Sequence, residues 1–256
     1  MAGAFKDRVA IVTGAGAAGG IGAAIAAKLV SEGARVVLGA TSERVHQRAA
    51  ELGDGAVGVI ADLTVDGAAD TLVAEAINRW GRLDILVNSA GMTSVTHGSD
   101  STSEVADLTL AEWNTAIARN LNTAFLMCRA VVPVMKAAHY GRIVSIGSTT
   151  GTVTAMPGQA TYTAAKAALA GLTQALAIEV VQDGITVNLL APGFIATPSQ
   201  FEFEAKAAAA GPIQRSGTPA EIAACAAFLA HESASFVTGA ILVADGGHNL
   251  PETWPV

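Results

Sequence analysis

Tyr162 and Lys166 stand four residues apart in Tyr162-Thr163-Ala164-Ala165-Lys166, inside a stretch, Ala160 to Gln182, whose apolar spacing predicts a long helix. Residues at i and i+4 share a helical face. The Lys ammonium is therefore placed to lower the Tyr phenol from a pKa of about 10 towards neutrality, which makes a usable general acid. Alone, such a pair is more often a surface tyrosine beside a solvated lysine. Two further features favour chemistry. Ser148 adds a hydroxyl just beyond the predicted strand Arg142 to Ile146. The segment Thr13-Gly14-Ala15-Gly16-Ala17-Ala18-Gly19-Gly20-Ile21-Gly22 lies between a β-branched run, Arg8 to Thr13, and a helical pattern, Ile21 to Val30. Glycines in that position let backbone N–H groups approach a pyrophosphate at the helix N-terminus. A merely flexible turn is the alternative, and the strand before it and the helix after it argue against that.

These groups need a frame that brings loops to one end of a sheet, and the rest of the chain reads as one. Strand-like Arg35 to Gly39 precedes helical Ser42 to Leu52, and Ala56 to Ile60 precedes Asp66 to Trp80. Leu83 to Asn88 leads into a polar loop, a helix from Thr109 to Lys136, the strand at Arg142 and the helix at Ala160. Ile185 to Leu190, a helix at Pro219 to Ala230 and a closing strand at Ala240 to Val243 complete the series. Strands rich in Val, Ile and Leu, separated by helices, imply a parallel sheet covered on both faces. The expectation is a doubly wound α/β (Rossmann) fold of about seven strands in a single domain, with no linker to divide it. Two stretches interrupt the alternation, 92–107 and 197–216. Each follows the C-terminal end of a strand, where open α/β sheets bind ligands. Both read as substrate-side loops.

The 256 residues are 51% hydrophobic and 14% charged, enough for a substantial core. With 15 Lys and Arg against 22 Asp and Glu the net charge is −7, and the absence of a basic run argues against nucleic acid as a partner. No uncharged apolar stretch reaches the length of about 18 residues that a membrane span needs. The charged opening Lys6-Asp7-Arg8 is unlike a secretory signal, so a cytoplasmic location is expected. Cys128 and Cys225 sit in apolar helical patterns and read as buried free thiols. Trp113 and Phe125 read as core or subunit contacts. The five histidines show no ligand spacing, so no metal is expected, and His97 reads as a solvated loop residue.

Taken in order, the Thr13 to Gly22 loop, Asp62-Leu63, Asn88-Ser89-Ala90-Gly91, Arg119-Asn120-Leu121, Ser148, Tyr162 to Lys166, Pro192-Gly193 and Asp245-Gly246-Gly247 resemble the short-chain dehydrogenases/reductases, in particular β-ketoacyl reductase-like carbonyl reductases. The resemblance covers nearly the whole chain. It implies that Gly14, Gly20, Ile21 and Gly22 hold the phosphates of a nicotinamide dinucleotide and that Asp62 and Leu63 border its adenine. Asn88, Ala90 and Gly91 would line the ribose side, and Pro192, Gly193, Ile195 and Thr197 would fix the carboxamide. Tyr162 would exchange a proton with a carbonyl or alcohol oxygen that Ser148 also hydrogen-bonds, Lys166 would bind the nicotinamide ribose, and Asn120 would hold a water. The family likeness also implies a homotetramer. The chain departs from the family in three places. The glycine loop is about two residues longer than usual, Ser89 replaces a second Asn, and the Ser148 to Tyr162 interval is one residue longer.

An acid at the end of the second strand would bind a ribose 2′-hydroxyl and repel a 2′-phosphate. Ala40 stands there, followed by Thr41, Ser42 and Arg44, so NADP(H) is favoured and NAD(H) remains possible. The glycine loop has Ala17 and Ala18 where an Arg often pairs with that phosphate, and Thr41 with Ser42 can equally cap a helix. The expected reaction interconverts a small ketone and a secondary alcohol. An NAD-dependent polyol or cyclic alcohol dehydrogenase and a non-catalytic nucleotide sensor are the alternatives. Few charges line the substrate segments, which points to a neutral, partly apolar ketone rather than an acyl-carrier thioester.

Overall fold

The computed structural model describes residues 3–91 and 103–250, so His97, most of the first substrate-side loop and the end of the tail lie outside the described residues. Seven parallel strands form one sheet in the order β3-β2-β1-β4-β5-β6-β7. They are β1 (Val9–Thr13), β2 (Arg35–Ala40), β3 (Ala56–Ile60), β4 (Ile85–Asn88), β5 (Gly141–Ile146), β6 (Ile185–Pro192) and β7 (Ile241–Ala244). The connecting helices are α1 (Ile21–Ser31), α2 (Arg44–Leu52), α3 (Ala68–Trp80), α4 (Leu110–Ile117), α5 (Thr123–Ala138), the single turn α6 (Thr149–Thr152), α7 (Ala160–Val180), α8 (Glu202–Ala210) and α9 (Pro219–Ala230). The expected Rossmann architecture is present.

Strand side chains alternate between faces, so every central strand feeds two cores. From β1, Ala10 and Val12 join Ile25 and Leu29 of α1 and Ile222 and Leu229 of α9. Val9 and Ile11 join Leu72 of α3, Met127 and Val131 of α5, and Leu176 of α7. Full burial of such side chains contributes roughly 1.5–3 kcal/mol each. Local signals fix several helix ends. Thr109 with Glu112 and Thr218 with Glu221 form capping boxes at the starts of α4 and α9, with Pro219 in the first turn of α9. Gly81, at φ 72°, closes α3.

Three expectations are corrected. The stretch from Thr109 to Lys136 is not one regular helix, because Ala118–Asn122 form a π-turn between α4 and α5. Trp113 and Phe125 on these helices are 37% and 46% exposed, which removes them from the core. Cys128 is buried but Cys225 only half-buried. Leu110–Ala138 and Ala160–Asp183 have the length and hydropathy of a membrane span only with charged residues such as Arg119 and Lys166 within them, in keeping with the expectation, and both are partly buried layers over the sheet. Smaller shifts of two residues occur at the starts of α2 and α3.

At the N-terminal end of the sheet, Asp84 gathers charge. Its carboxylate accepts from the Val9 N–H at 2.9 Å, Arg8 at 3.1 Å and Arg82 at 2.7 and 2.8 Å. Arg8 and Arg142 also flank the Tyr140 ring, 3.9 and 4.4 Å from its centroid. Structural charge is gathered at this pole. The strand order reverses between β1 and β4, which opens a crevice at the opposite pole.

Candidate active site at the carboxyl end of the sheet

The crevice is built first from glycine. Gly14 has φ +67°, and a Cβ there would come within 2.6 Å of the Ser89 carbonyl oxygen at the end of β4. Gly22, in the first turn of α1, backs onto Gly14 so closely that a Cβ would lie 2.7 Å from its carbonyl oxygen. Thr13 ties the two strands together, its Oγ1 accepting from the N–H groups of Ser89 at 3.1 Å and Ala90 at 3.0 Å. The N-cap of α1 is Gly20, with no side-chain cap and no acid in the first turn, beside Ile21. That leaves the first N–H groups and the positive end of the helix dipole open to an anion. Backbone surface kept bare by glycine beside an uncapped helix start fits a dinucleotide pyrophosphate.

Beyond β2, Ala40 is followed by exposed Thr41 and by Ser42, whose Oγ accepts from Arg44 Nε at 3.3 Å. Neither hydroxyl caps α2. After β3, Asp62 Oδ1 accepts from Thr64 N at 3.0 Å and Thr64 Oγ1 at 2.7 Å. Those bonds, helped by Arg119, hold its carboxyl below the usual range. Leu63 turns its side chain into the core. Asn88 also points inwards, its Nδ2 donating to Ser145 Oγ at 3.3 Å and to Cys128 Sγ at 3.5 Å. Burial, partly offset by that contact, pushes the Cys128 thiol up to about 12.

Gly91 marks where the catalytic candidates meet. A Cβ on it, at φ +144°, would lie 2.9 Å from Asn120 Oδ1 and 3.4 Å from Lys166 Nζ. Asn120 is buried in the π-turn, with its Nδ2 on the Ala116 carbonyl at 3.1 Å. Lys166, only 4% exposed, donates to the Ile146 carbonyl at 2.9 Å, and burial brings its ammonium down to about 8. Its Nζ sits 5.5 Å from the Tyr162 ring centroid, so the two do share a helix face. Ser148 lies beside the Tyr162 hydroxyl and is pinned in turn by the Thr150 N–H on its Oγ at 3.1 Å and the Thr152 hydroxyl on its carbonyl at 2.6 Å.

The expected effect of Lys166 on Tyr162 is corrected by the environment. Burial raises the phenol to about 12, Ser148 pulls it down by less, and the Glu204 carboxylate adds to the rise. Desolvation of the buried phenol sets the direction of the shift.

The second substrate-side segment is a flap pinned at its base. Ile195 bridges Gly217, Ala196 N–H donates to the Gly217 carbonyl at 2.8 Å, and Gln200 Nε2 donates to Ser216 Oγ at 2.7 Å. Pro192 ends β6, and Gly193 packs so tightly on Asp245 that a Cβ would come within 2.7 Å. Thr197 shares a hydrogen bond of 3.1 Å with Ser199, and Pro198 would be 3.5 Å from a Cβ on Gly19, so the flap leaves from directly above the glycine loop. Its far end rests on the turn after β7. There a Cβ on Gly211 would come within 2.6 Å of His248 Nδ1 and one on Gly246 would touch Ile213 at 2.7 Å, while Phe194, before the flap, meets the His248 ring edge-on at 5.1 Å. An apolar recess of about 460 Å³ joins Ser103 and Val105 to Met156 and Pro157, against Thr163 and Ala167 of α7. Sequence reasoning did not assign a role to Thr13, Glu204 or His248. Thr13 and Glu204 carried a signal only as a motif residue and as one of the flap's few charges.

Residues 14–249 match the family described as enoyl-(acyl-carrier-protein) reductase. The chain is 39% identical over 248 residues, 95% of its length and 98% of the relative's, to the 3-oxoacyl-(acyl-carrier-protein) reductase FabG of Salmonella typhimurium. The same figures hold for that of Escherichia coli. It is 38% identical over 255 residues, 97% of its length and 99% of the relative's, to cis-4-hydroxycyclohexanecarboxylate dehydrogenase of Sinomonas cyclohexanicum. Similarity of this extent, along a chain whose motifs converge on one crevice, shows that the protein belongs to the short-chain dehydrogenase/reductase family, NAD(P)(H)-using oxidoreductases of CH–OH and carbonyl groups.

Proposed function

We propose that the chain is an NADP(H)-dependent oxidoreductase that interconverts a small ketone and a secondary alcohol, with Tyr162 as proton donor and acceptor. The observation that carries this reading is the meeting of Asn120, Lys166 and Gly91 beside Tyr162 and Ser148, next to a glycine-lined cradle. In this reading the backbone of Gly14, Gly20, Ile21 and Gly22 takes the phosphates, and the Asp62-Leu63 turn borders the adenine. Asn88, Ala90 and Gly91 form the ribose side, and Pro192, Gly193, Ile195 and Thr197 border the carboxamide. Bound nicotinamide supplies or accepts the hydride. Tyr162 gives its proton to the substrate oxygen in reduction and takes it back in oxidation. Ser148 donates to the same oxygen, so two donors meet the charge that develops there. A phenol held at about 12 is fully protonated at neutral pH, the form that reduction needs. Lys166 keeps a buried positive charge behind it and binds the ribose hydroxyls, and Asn120 holds a water that links Lys166 to solvent.

The absence of an acid at Ala40 and the presence of Arg44 on Ser42 support NADP(H), since nothing at that corner repels a 2′-phosphate. A second reading, an NAD-dependent cyclic alcohol dehydrogenase, is favoured by the likeness to the Sinomonas enzyme. The net charge of −7 argues against an acidic acyl carrier, despite the names of the other relatives. Exposed Leu110, Trp113 and Phe125 on α4 and α5, Ile178 on α7 and the edge strand β7 support assembly into a homotetramer, and a cytoplasmic setting completes the reading.

Initial rates of NADPH and NADH consumption with aliphatic, aryl and cyclic ketones test the proposal, with Tyr162→Phe as the control. Turnover faster with NADPH and reduced at least ~100-fold in the control is expected. Equal rates in the control remove Tyr162 from the chemistry, and nucleotide binding without any turnover favours the sensor.

A further inference from the structure

Between Ser148 and the helix that carries Tyr162 and Lys166 lies the single turn α6, and two of its four residues depart from helical angles, Thr150 at ψ 116° and Gly151 at φ 99°. Glycine is required at the second of these by contact as well as by conformation. A Cβ on Gly151 would lie 2.6 Å from the Thr163 carbonyl oxygen, 2.8 Å from the Ala167 nitrogen and 3.0 Å from the Lys166 Cβ. The turn is therefore seated on the same part of α7 that presents Tyr162 and Lys166. It also closes on itself. The N–H groups of Val153 and Thr154 both donate to the Thr149 carbonyl, at 2.8 and 2.9 Å, and the Gly151 N–H donates to the Thr154 carbonyl at 2.8 Å. Ser148 is gripped by this closed turn at two atoms. Its Oγ accepts the Thr150 N–H at 3.1 Å, and its carbonyl accepts the Thr152 hydroxyl at 2.6 Å. A hydroxyl oxygen that accepts on one side still has its own proton to donate on another. The Ser148 proton is thus turned away from Thr150 and left for an oxygen beside the Tyr162 hydroxyl.

We propose that Thr152 is a positioning residue for the Tyr162 reaction: acting through the Ser148 carbonyl, from a turn that Gly151 seats on α7, its hydroxyl holds Ser148 Oγ where it donates to the substrate oxygen. The proposal rests on the catalytic reading above for the role of Ser148. Thr152 itself touches neither substrate nor nucleotide in this scheme. Its hydroxyl matters because a serine side chain has three staggered positions, and only one aims the donor at the developing charge. A misplacement of about 1 Å at a reacting group costs on the order of 100-fold in rate. A methyl group in place of the hydroxyl cannot approach the carbonyl at hydrogen-bond distance, so it both removes the grip and pushes the turn away from Ser148.

The test uses Thr152→Val, which removes the hydroxyl and keeps the branched shape, and Thr152→Ser, which keeps the hydroxyl. With a ketone that the wild type reduces, kcat is expected to fall at least ~10-fold in Thr152→Val and to stay within about 3-fold of the wild type in Thr152→Ser. Affinity for the nicotinamide nucleotide is expected to change by no more than about 2-fold in either. In a Ser148→Ala background no hydroxyl is left to position, so Thr152→Val is expected to change kcat by less than about 2-fold there. A kcat unchanged in Thr152→Val, a loss that Thr152→Ser does not rescue, or an equal loss repeated in the Ser148→Ala background overturns the proposal. Thr152→Ala removes the same hydroxyl and takes the place of Thr152→Val should that variant fail to fold. A Ser148→Ala variant as fast as the wild type, or a wild type that reduces no ketone, defeats the catalytic reading instead. Crystal structures of the wild type and Thr152→Val then decide the matter without turnover. A Ser148 Oγ displaced from the Thr150 N–H in the variant sustains the positioning role, and a superposable Ser148 overturns it.

Discussion

Lys166 shows how far a spacing rule reaches at the scale of the residue. The i, i+4 relation to Tyr162 was legible because helical geometry is local, and the two side chains do share a face. The direction of the phenol pKa was not legible, because α7 is covered by α4 and the π-turn, which lie far from Tyr162 in sequence. The same burial makes Lys166 a stability liability. Its ammonium falls from 10.5 to about 8, so below pH 8 the fold carries a charge it disfavours. Above the unfolded value the residue is neutral in both states and that penalty vanishes. Lys166→Met is therefore expected to melt no lower than the wild type at pH 7 while losing at least ~100-fold in turnover. Its stability advantage shrinks as pH rises from 8 to 10.5. Chemical denaturation of both proteins at pH 7 and pH 10 checks this, and an advantage that grows with pH contradicts it. Thr13 is the opposite case, a residue near the cradle whose contribution is to hold the frame. Thr13→Val removes the acceptor of two N–H groups and is expected to cost about 1–3 kcal/mol, measurable from the denaturation midpoint.

Elements were legible where hydrophobic period and end signals agree, as in β1, α3 and α9. Periodicity failed at the π-turn. Residues Ile117, Ala118 and Thr123 keep helical backbone angles through it, and the apolar pattern runs on without a break. A wide turn adds one residue to the circuit and changes which side chain faces inwards. Here it delivers Asn120 to Lys166 and Gly91. Deleting Asn122 restores a regular helix and swings Asn120 by about 100° relative to α5. The expected outcome is a chain that still gives cooperative melting but has lost most of its turnover. Retained turnover would show that the turn is incidental to the site. The flap was recognised as irregular, yet the contacts that seat it, Gln200 on Ser216 and Ile213 against Gly246, are tertiary and no pattern within 197–216 reveals them.

Across the whole molecule, the parallel sheet and the end at which its loops gather followed from the order of strand-like and helical segments. The partition of helices between the two faces depended on packing. The division of labour between poles also emerges only here, with the Asp84 cluster at one end of the strands and the crevice at the other. Edge strand β7 exposes Ile241 and Val243, and Phe236 beside it is fully exposed. Under the proposed tetramer, light scattering is expected to give the mass of four chains for the wild type and fewer for Phe236→Glu combined with Val243→Glu. A single-chain mass for the wild type rejects the assembly. Finally, the far end of the flap rests on the turn after β7, through Gly211 with His248 and Ile213 with Gly246. Substrate range in this architecture is consequently not portable as one loop. A chimera that imports 197–216 from a relative must import 245–250 with it, or the new lid arrives without its hinge plate.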